Sequence, residues 1–174
     1  MQRRATATYG ARMHLAERDR DGLSPTPSPS TEEGPALRDA AALAERAAAD
    51  EAAAHDAREL YRDGLPPAIE PDEDIVGHLT QGESVHALRT RAILRTPGAD
   101  EALGYGGSLY LTSRRLVHRG QVMVAVQLTD IVETSLAGER LLLTLRQGEG
   151  MSLEIDRPRL FRAELAATLR EARR

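Results

Sequence analysis

Two periodicities divide this chain. From about position 78 to 155, apolar and polar residues alternate in seven short runs, the spacing of strands with one buried face. The first run, 84–95 ("SVHALRTRAILR"), sets His86, Leu88, Thr90, Ala92 and Leu94 on one face. Arg89, Arg91 and Arg95 fall on the other. After a turn-rich stretch come "SLYLT", "RRLVHR", "VMVAVQL", "DIVETSL", "RLLLTLR" and "MSLEI". A tight turn near Thr112 and Ser113, Gly120, Ala137 with Gly138, and Gly148 separate them. Short, regular, one-faced strands of this kind predict an antiparallel sandwich or barrel.

Helical spacing flanks the strands. Residues 35–63 are alanine-rich, begin on Pro35 and stop at Gly64 with "LPP" behind it. Leu37, Leu43, Leu60 and Tyr61 are the only large apolar residues there, so the helix is expected to be a solvent-exposed spacer. Pairing through its alanine face with a second copy or a partner is the other reading. At the C-terminus, Phe161, Leu165, Thr168, Leu169 and Ala172 recur at helical intervals after Asp156, a candidate cap, and Pro158. Phe161, the one phenylalanine, is expected to pack this helix over an open end of the sheet. Residues 1–34, with "LSPTPSPSTEEG", read as a disordered tail. It is a passive linker or a phosphorylation substrate at Ser24, Thr26, Ser28 or Ser30, and Met1 or Met13 is its start. The expected organisation is a disordered tail (1–34), an alanine-rich helix (35–64), an acidic proline-rich linker (65–77) and a folded domain (78–174).

Seven antiparallel strands and a terminal amphipathic helix resemble the pleckstrin-homology (PH) superfold. Within it, "GGSLYLTSRRLVHRG", "VQLTDIVE" and "GERLLLTLRQGEGMSLEI" look like the GRAM and bacterial PH-like branch. Gly107, Leu109, Leu111, Thr112, Arg115 and Leu116 occupy that branch's G-x-L-x-L-T-x-x-R-L stretch, over a resemblance spanning roughly 78–173. It implies an α+β fold, a seven-stranded antiparallel split barrel capped by a C-terminal helix. It further implies binding of lipids, peptides or proteins. The branch often carries an aromatic residue where this chain has His118, for which a satisfied core or edge position is expected.

Charge narrows the function. The net charge of −4 resides in residues 1–71, whereas 72–174 carry 14 acids and 14 arginines. Neither part has the basic excess of a nucleic-acid binder. All 23 basic residues are arginine, and lysine and asparagine are absent, as in a high-GC bacterium. Many arginines then stand in for lysine, which weakens any argument from arginine's phosphate preference. No cysteine is present, excluding disulfides and thiolate metal sites. Without a secretory signal or a membrane-length apolar run, a cytoplasmic chain is expected, with attachment to a membrane surface as a variant.

The candidate ligand-binding residues are Arg89, Arg91, Arg95, Arg115 and Arg119. Arg115 and Arg119 share strand parity with Val117 and are expected on an outer face with the first-strand arginines; Arg114, at the turn, is expected to be solvated. That face either accepts an acidic partner segment or is a solvated strand rim. Against a phosphoinositide pocket, the loop "TPGADEALGYGG" carries Asp100 and Glu101 and no base. The histidines (14, 55, 78, 86, 118) lack zinc-site spacing, and no G-x-G-x-x-G, G-x-S-x-G or P-loop occurs. Asp72, Glu73 and Asp74 read as a solvated charge run. The expectation is a non-enzymatic module without metal or cofactor that binds a protein partner. A binder of anionic lipid headgroups is the alternative.

Overall fold

The computed structural model describes residues 33–96, 104–148 and 150–174. The disorder expected for residues 1–34 therefore lies, up to position 32, outside the described residues, as does most of the loop containing Asp100 and Glu101. The elements in order are helix α1 (Glu33–Leu60), a helical turn α2 (Glu73–Val76), strands β1 (Val85–Arg95), β2 (Tyr105–Thr112), β3 (Arg115–Gly120) and β4 (Met123–Gln127), a 3-10 turn (Leu128–Asp130), β5 (Ile131–Ala137), β6 (Arg140–Leu145), β7 (Gly150–Glu154) and helix α3 (Pro158–Ala172).

The strands form one antiparallel sheet in the order β4-β3-β2-β1-β7-β6-β5. β4 and β5 are its two ends and do not pair with each other, so the sheet remains open. Its inner face carries the alternating leucines and valines, and α3 lies against them through Phe161, Leu165 and Leu169. Phe161 is fully buried, as expected of the ring that docks this helix. Seven antiparallel strands in one unclosed sheet, followed by this helix, make the PH-like architecture.

Strict alternation fails at two places in β1, and both matter for the arginines. Val85 opposes Thr112 and Ala87 opposes Leu111, so His86 is an extra residue. Arg89 opposes Leu109 and Ala92 opposes Gly107, which inserts another. Each bulge flips the following side chains to the opposite face. Leu88, expected inside, packs instead with Val85, Tyr110 and Val117 on the outer side. Further along, Gly107 and Gly120 face each other across β2 and β3. A Cβ on Gly107 would strike the Arg119 carbonyl, and one on Gly120 the Gly106 carbonyl. Only glycine permits that approach.

Helix α1 is not an exposed spacer throughout. Leu37, Leu43 and Leu60 are exposed, but Ala54 and Ala57 are buried against Ala163, with Tyr61 and Leu160 at the margin. Small side chains let α1 and α3 approach closely, so the contact needs no large apolar seam. Its partner is the chain's own C-terminal helix. Asp50 of α1 also caps α3, accepting from the backbone N–H of Arg159 at 2.8 Å and of Leu160 at 3.0 Å. Asp156, the cap expected from sequence, does not serve; Arg157 holds the N-cap position with no side-chain bond.

Candidate functional site

The five candidate arginines do not share one face. The first bulge, at His86, turns Arg89 to the same side as Leu109, beneath α3. Its Nη2 donates to Glu164 at 2.8 Å, Nε to the Asp156 carbonyl at 3.2 Å and Nη1 to the Leu88 carbonyl at 3.0 Å. Its guanidinium also stands 5.1 Å from the centre of the Phe161 ring. Burial raises the Glu164 carboxyl above its ordinary range, against the pull of Arg89. Arg89 is thus a strut between sheet and helix. Arg95 donates to Glu154 at 3.1 Å, and the same carboxylate takes Arg140 at 2.8 Å.

Arg115 and Arg119 do lie on the outer face with Val117, but a segment of the chain itself covers them. Ile69 makes a lone bridge to Val85, and α2 sets fully buried Ile75 against Tyr110 and Val117. Asp72 caps α2 by accepting from the Ile75 N–H at 3.2 Å, and its carboxylate receives the Tyr110 hydroxyl at 2.9 Å. Burial first, and then that carboxylate, push Tyr110 up to about 12. Arg115 grips Glu83 through Nε at 2.9 Å and Nη2 at 3.0 Å, and also donates to the His78 carbonyl. Burial of Glu83 would raise its pKa, but Arg115, Thr112 and Thr80 overrule it and hold the carboxyl at about 2. Arg119 donates to His78 Nε2 and lies 3.5 Å from Asp74, and exposed Arg114 reaches the Thr80 hydroxyl at 3.2 Å. So Asp72 and Asp74 are partners of the sheet, and not merely solvated charges.

Arg91 is different. It is exposed and makes no hydrogen bond or ion pair among the described residues. It borders an open groove of about 660 Å³ whose walls include Leu88, Thr90, Asp156, Arg157 and Leu160. Arg157 is likewise exposed; its carbonyl accepts from the Phe161 N–H at 3.0 Å and its charge acts on Glu164, but its guanidinium makes no hydrogen bond or close ion pair among the described residues. Its backbone is left-handed, φ 53° and ψ 59°, immediately before Pro158. It is the one described non-glycine residue with positive φ, at a cost of roughly 1–3 kcal/mol. Sequence reasoning missed Arg157, because nothing in "IDRPR" announces a left-handed residue.

His118 is buried, and neither ring nitrogen meets a partner among the described residues, contrary to the satisfied histidine expected. It points inward opposite Leu109 and Val124, neither of which offers a polar side-chain atom. Among the described residues no group of three or more His, Cys, Asp or Glu lies together as a metal site. Nor is any described helix long and apolar enough to cross a membrane.

No protein-family profile matches the chain, and no curated protein does. Solved structures similar to it include the Vps36 N-terminal PH domain (17% identity, TM-score 0.43, covering 53% of this chain and 83% of that one). The C-terminal domain of an unknown protein from Leishmania infantum is similar at 13% identity and TM-score 0.42, covering 51% and 86%. The PH domain of USP37 is similar at 18% identity and TM-score 0.37, covering 50% and 97%. The PH-like assignment rests on the strand order and the terminal helix.

Proposed function

We propose that this chain is a non-enzymatic PH-like interaction module whose ligand is a carboxylate-rich segment of a protein partner. The supporting observation is the pair Arg91 and Arg157, two exposed guanidiniums on one open groove that no side-chain hydrogen bond or close ion pair among the described residues ties down. Arg89, Arg95, Arg115 and Arg119 already hold carboxylates of their own chain, so an incoming acid finds its free donors here. Leu88 and Leu160 give the groove an apolar floor for the backbone or side chains between the acids. A protein ligand is favoured over a membrane because residues 72–174 carry no net charge and no described aromatic ring is exposed to anchor in a bilayer.

The test is affinity capture from the native host with the intact chain, compared with the double variant Arg91→Glu, Arg157→Glu and with the double variant Arg38→Glu, Arg114→Glu as a charge-matched control. The double variant is expected to lose its partner while the control keeps it. Equal capture by both would remove the groove from consideration. Sedimentation with vesicles of anionic lipid, weakening with salt and absent for zwitterionic vesicles, would transfer the same two arginines to the lipid-headgroup reading.

A further inference from the structure

The two ends of the sheet are guarded very differently. β5 carries a register shift between Ile131 and Glu133, presents the Glu133 charge, and has its Ile131 carbonyl taken by Arg173 of α3 at 2.7 Å. Bulges and charges are the usual ways of stopping an edge from pairing with another strand. β4 has none of these. Its register with β3 is unbroken from Arg115–Gln127 to Arg119–Met123, and "QVMVAVQL" contains no charge and no proline. No described strand pairs with its outer edge, and Met123 is about half exposed.

From this contrast we infer that β4 is a self-pairing edge. It takes the β4 of a second copy of this chain, antiparallel, with the two-fold axis at Ala125. Three observations favour a second copy over other occupants. An isologous pairing sets each residue of the strand against another from the same strand, so it is stable only where the strand has no charge to meet its own kind. β4 meets that condition. In this register Met123 opposes the second copy's Gln127, and the exposed side chains Met123, Ala125 and Gln127 share one face on both copies. Beside Ala125 and Gln127 lies a cleft of about 190 Å³, with Leu145 and Arg146 on its far wall. Each copy therefore offers an exposed methionine at the position that faces the other's cleft, and the contact is reciprocal. The inner side chains Val124 and Val126 keep their place against each sheet's own core.

This pairing is independent of the groove beside Arg91, which lies on β1 and α3. Sedimentation equilibrium of the intact chain over a wide concentration range tests it. The wild-type chain is expected to pass from monomer to dimer. Ala125→Lys and Ala125→Glu each place a like charge on the axis and are expected to stay monomeric with an unchanged circular dichroism spectrum. Mixed in equal amounts, the two variants are expected to dimerise again, because lysine then faces glutamate. A wild-type chain monomeric at every concentration, dimerisation of Ala125→Lys alone, or a mixture that stays monomeric would each overturn the pairing. So would a monomer whose β4 amides are protected from hydrogen exchange, since another segment would then hold the edge.

Discussion

The two faces of the β1–β2–β3 strands are sealed by different chemistry. The inner face is closed by α3 with Phe161, Leu165 and Leu169 against leucines of the sheet. The outer face is closed by residues 69–83, which contribute Ile75 and Leu79 as apolar cover, and Asp72, Asp74 and Glu83 for the polar groups beneath. An apolar seal is non-directional and tolerates small shifts. A seal of carboxylates on arginines and a tyrosine hydroxyl works only in one register, because buried Glu83 must meet Arg115 and the Tyr110 hydroxyl must meet Asp72. The outer cover therefore fixes position where the inner one supplies cohesion.

That contrast can be broken in stages. Truncating Phe161→Ala should cost the most, about 3–5 kcal/mol of unfolding free energy, read as a lowered denaturant midpoint, because a fully buried ring is lost beneath Arg89. An unchanged midpoint would mean the helix is not docked through it. Glu83→Gln comes next, at roughly 2–3 kcal/mol near neutral pH. The sign follows from the depressed folded value: Glu83 contributes fully above about 4.5, and the contribution is lost as pH falls towards about 2. Glu164, raised by burial, works the opposite way in acid. The comparison of wild type with Glu83→Gln isolates the first: the variant should show the shallower loss of stability on acidification. Ile75→Ala should cost about 2 kcal/mol, since a single short turn can partly collapse onto the space. Asp50→Ala should cost about 1 kcal/mol, as other helix caps do, and should loosen α1 before anything else by hydrogen exchange. The smallest effect is expected for Arg157→Gly. It relieves a left-handed arginine and should stabilise by about 0.5 kcal/mol while removing one of the groove's two exposed guanidiniums.

Much of the strand plan was legible, because alternation needs only local sequence. The sites of failure share a cause: each depended on a partner far along the chain. Asp50 looks like one more acid in an alanine helix, and its role requires amides 109 and 110 positions later. Strict alternation along 84–95 puts Arg89 outward, but pairing with β2 inserts a bulge at His86 that β1 alone does not reveal. The stretch 65–77 read as a linker because proline and acids dominate it, yet "PDEDIVG" held a usable sign: Asp72 at capping distance before Ile75. His118 had no such sign, and the sequence offered no way to learn that its ring nitrogens are left without partners among the described residues.

The glycine pair at positions 107 and 120 carries a consequence for recognising kin. Any methyl group at either site would pry apart the backbones of adjacent strands. Chains that share this hairpin must therefore hold glycine at both places, whatever their loops and arginines have become. Two glycines spaced thirteen apart around a leucine-rich hairpin are thus a mark of this close strand approach, set by geometry and independent of the loops.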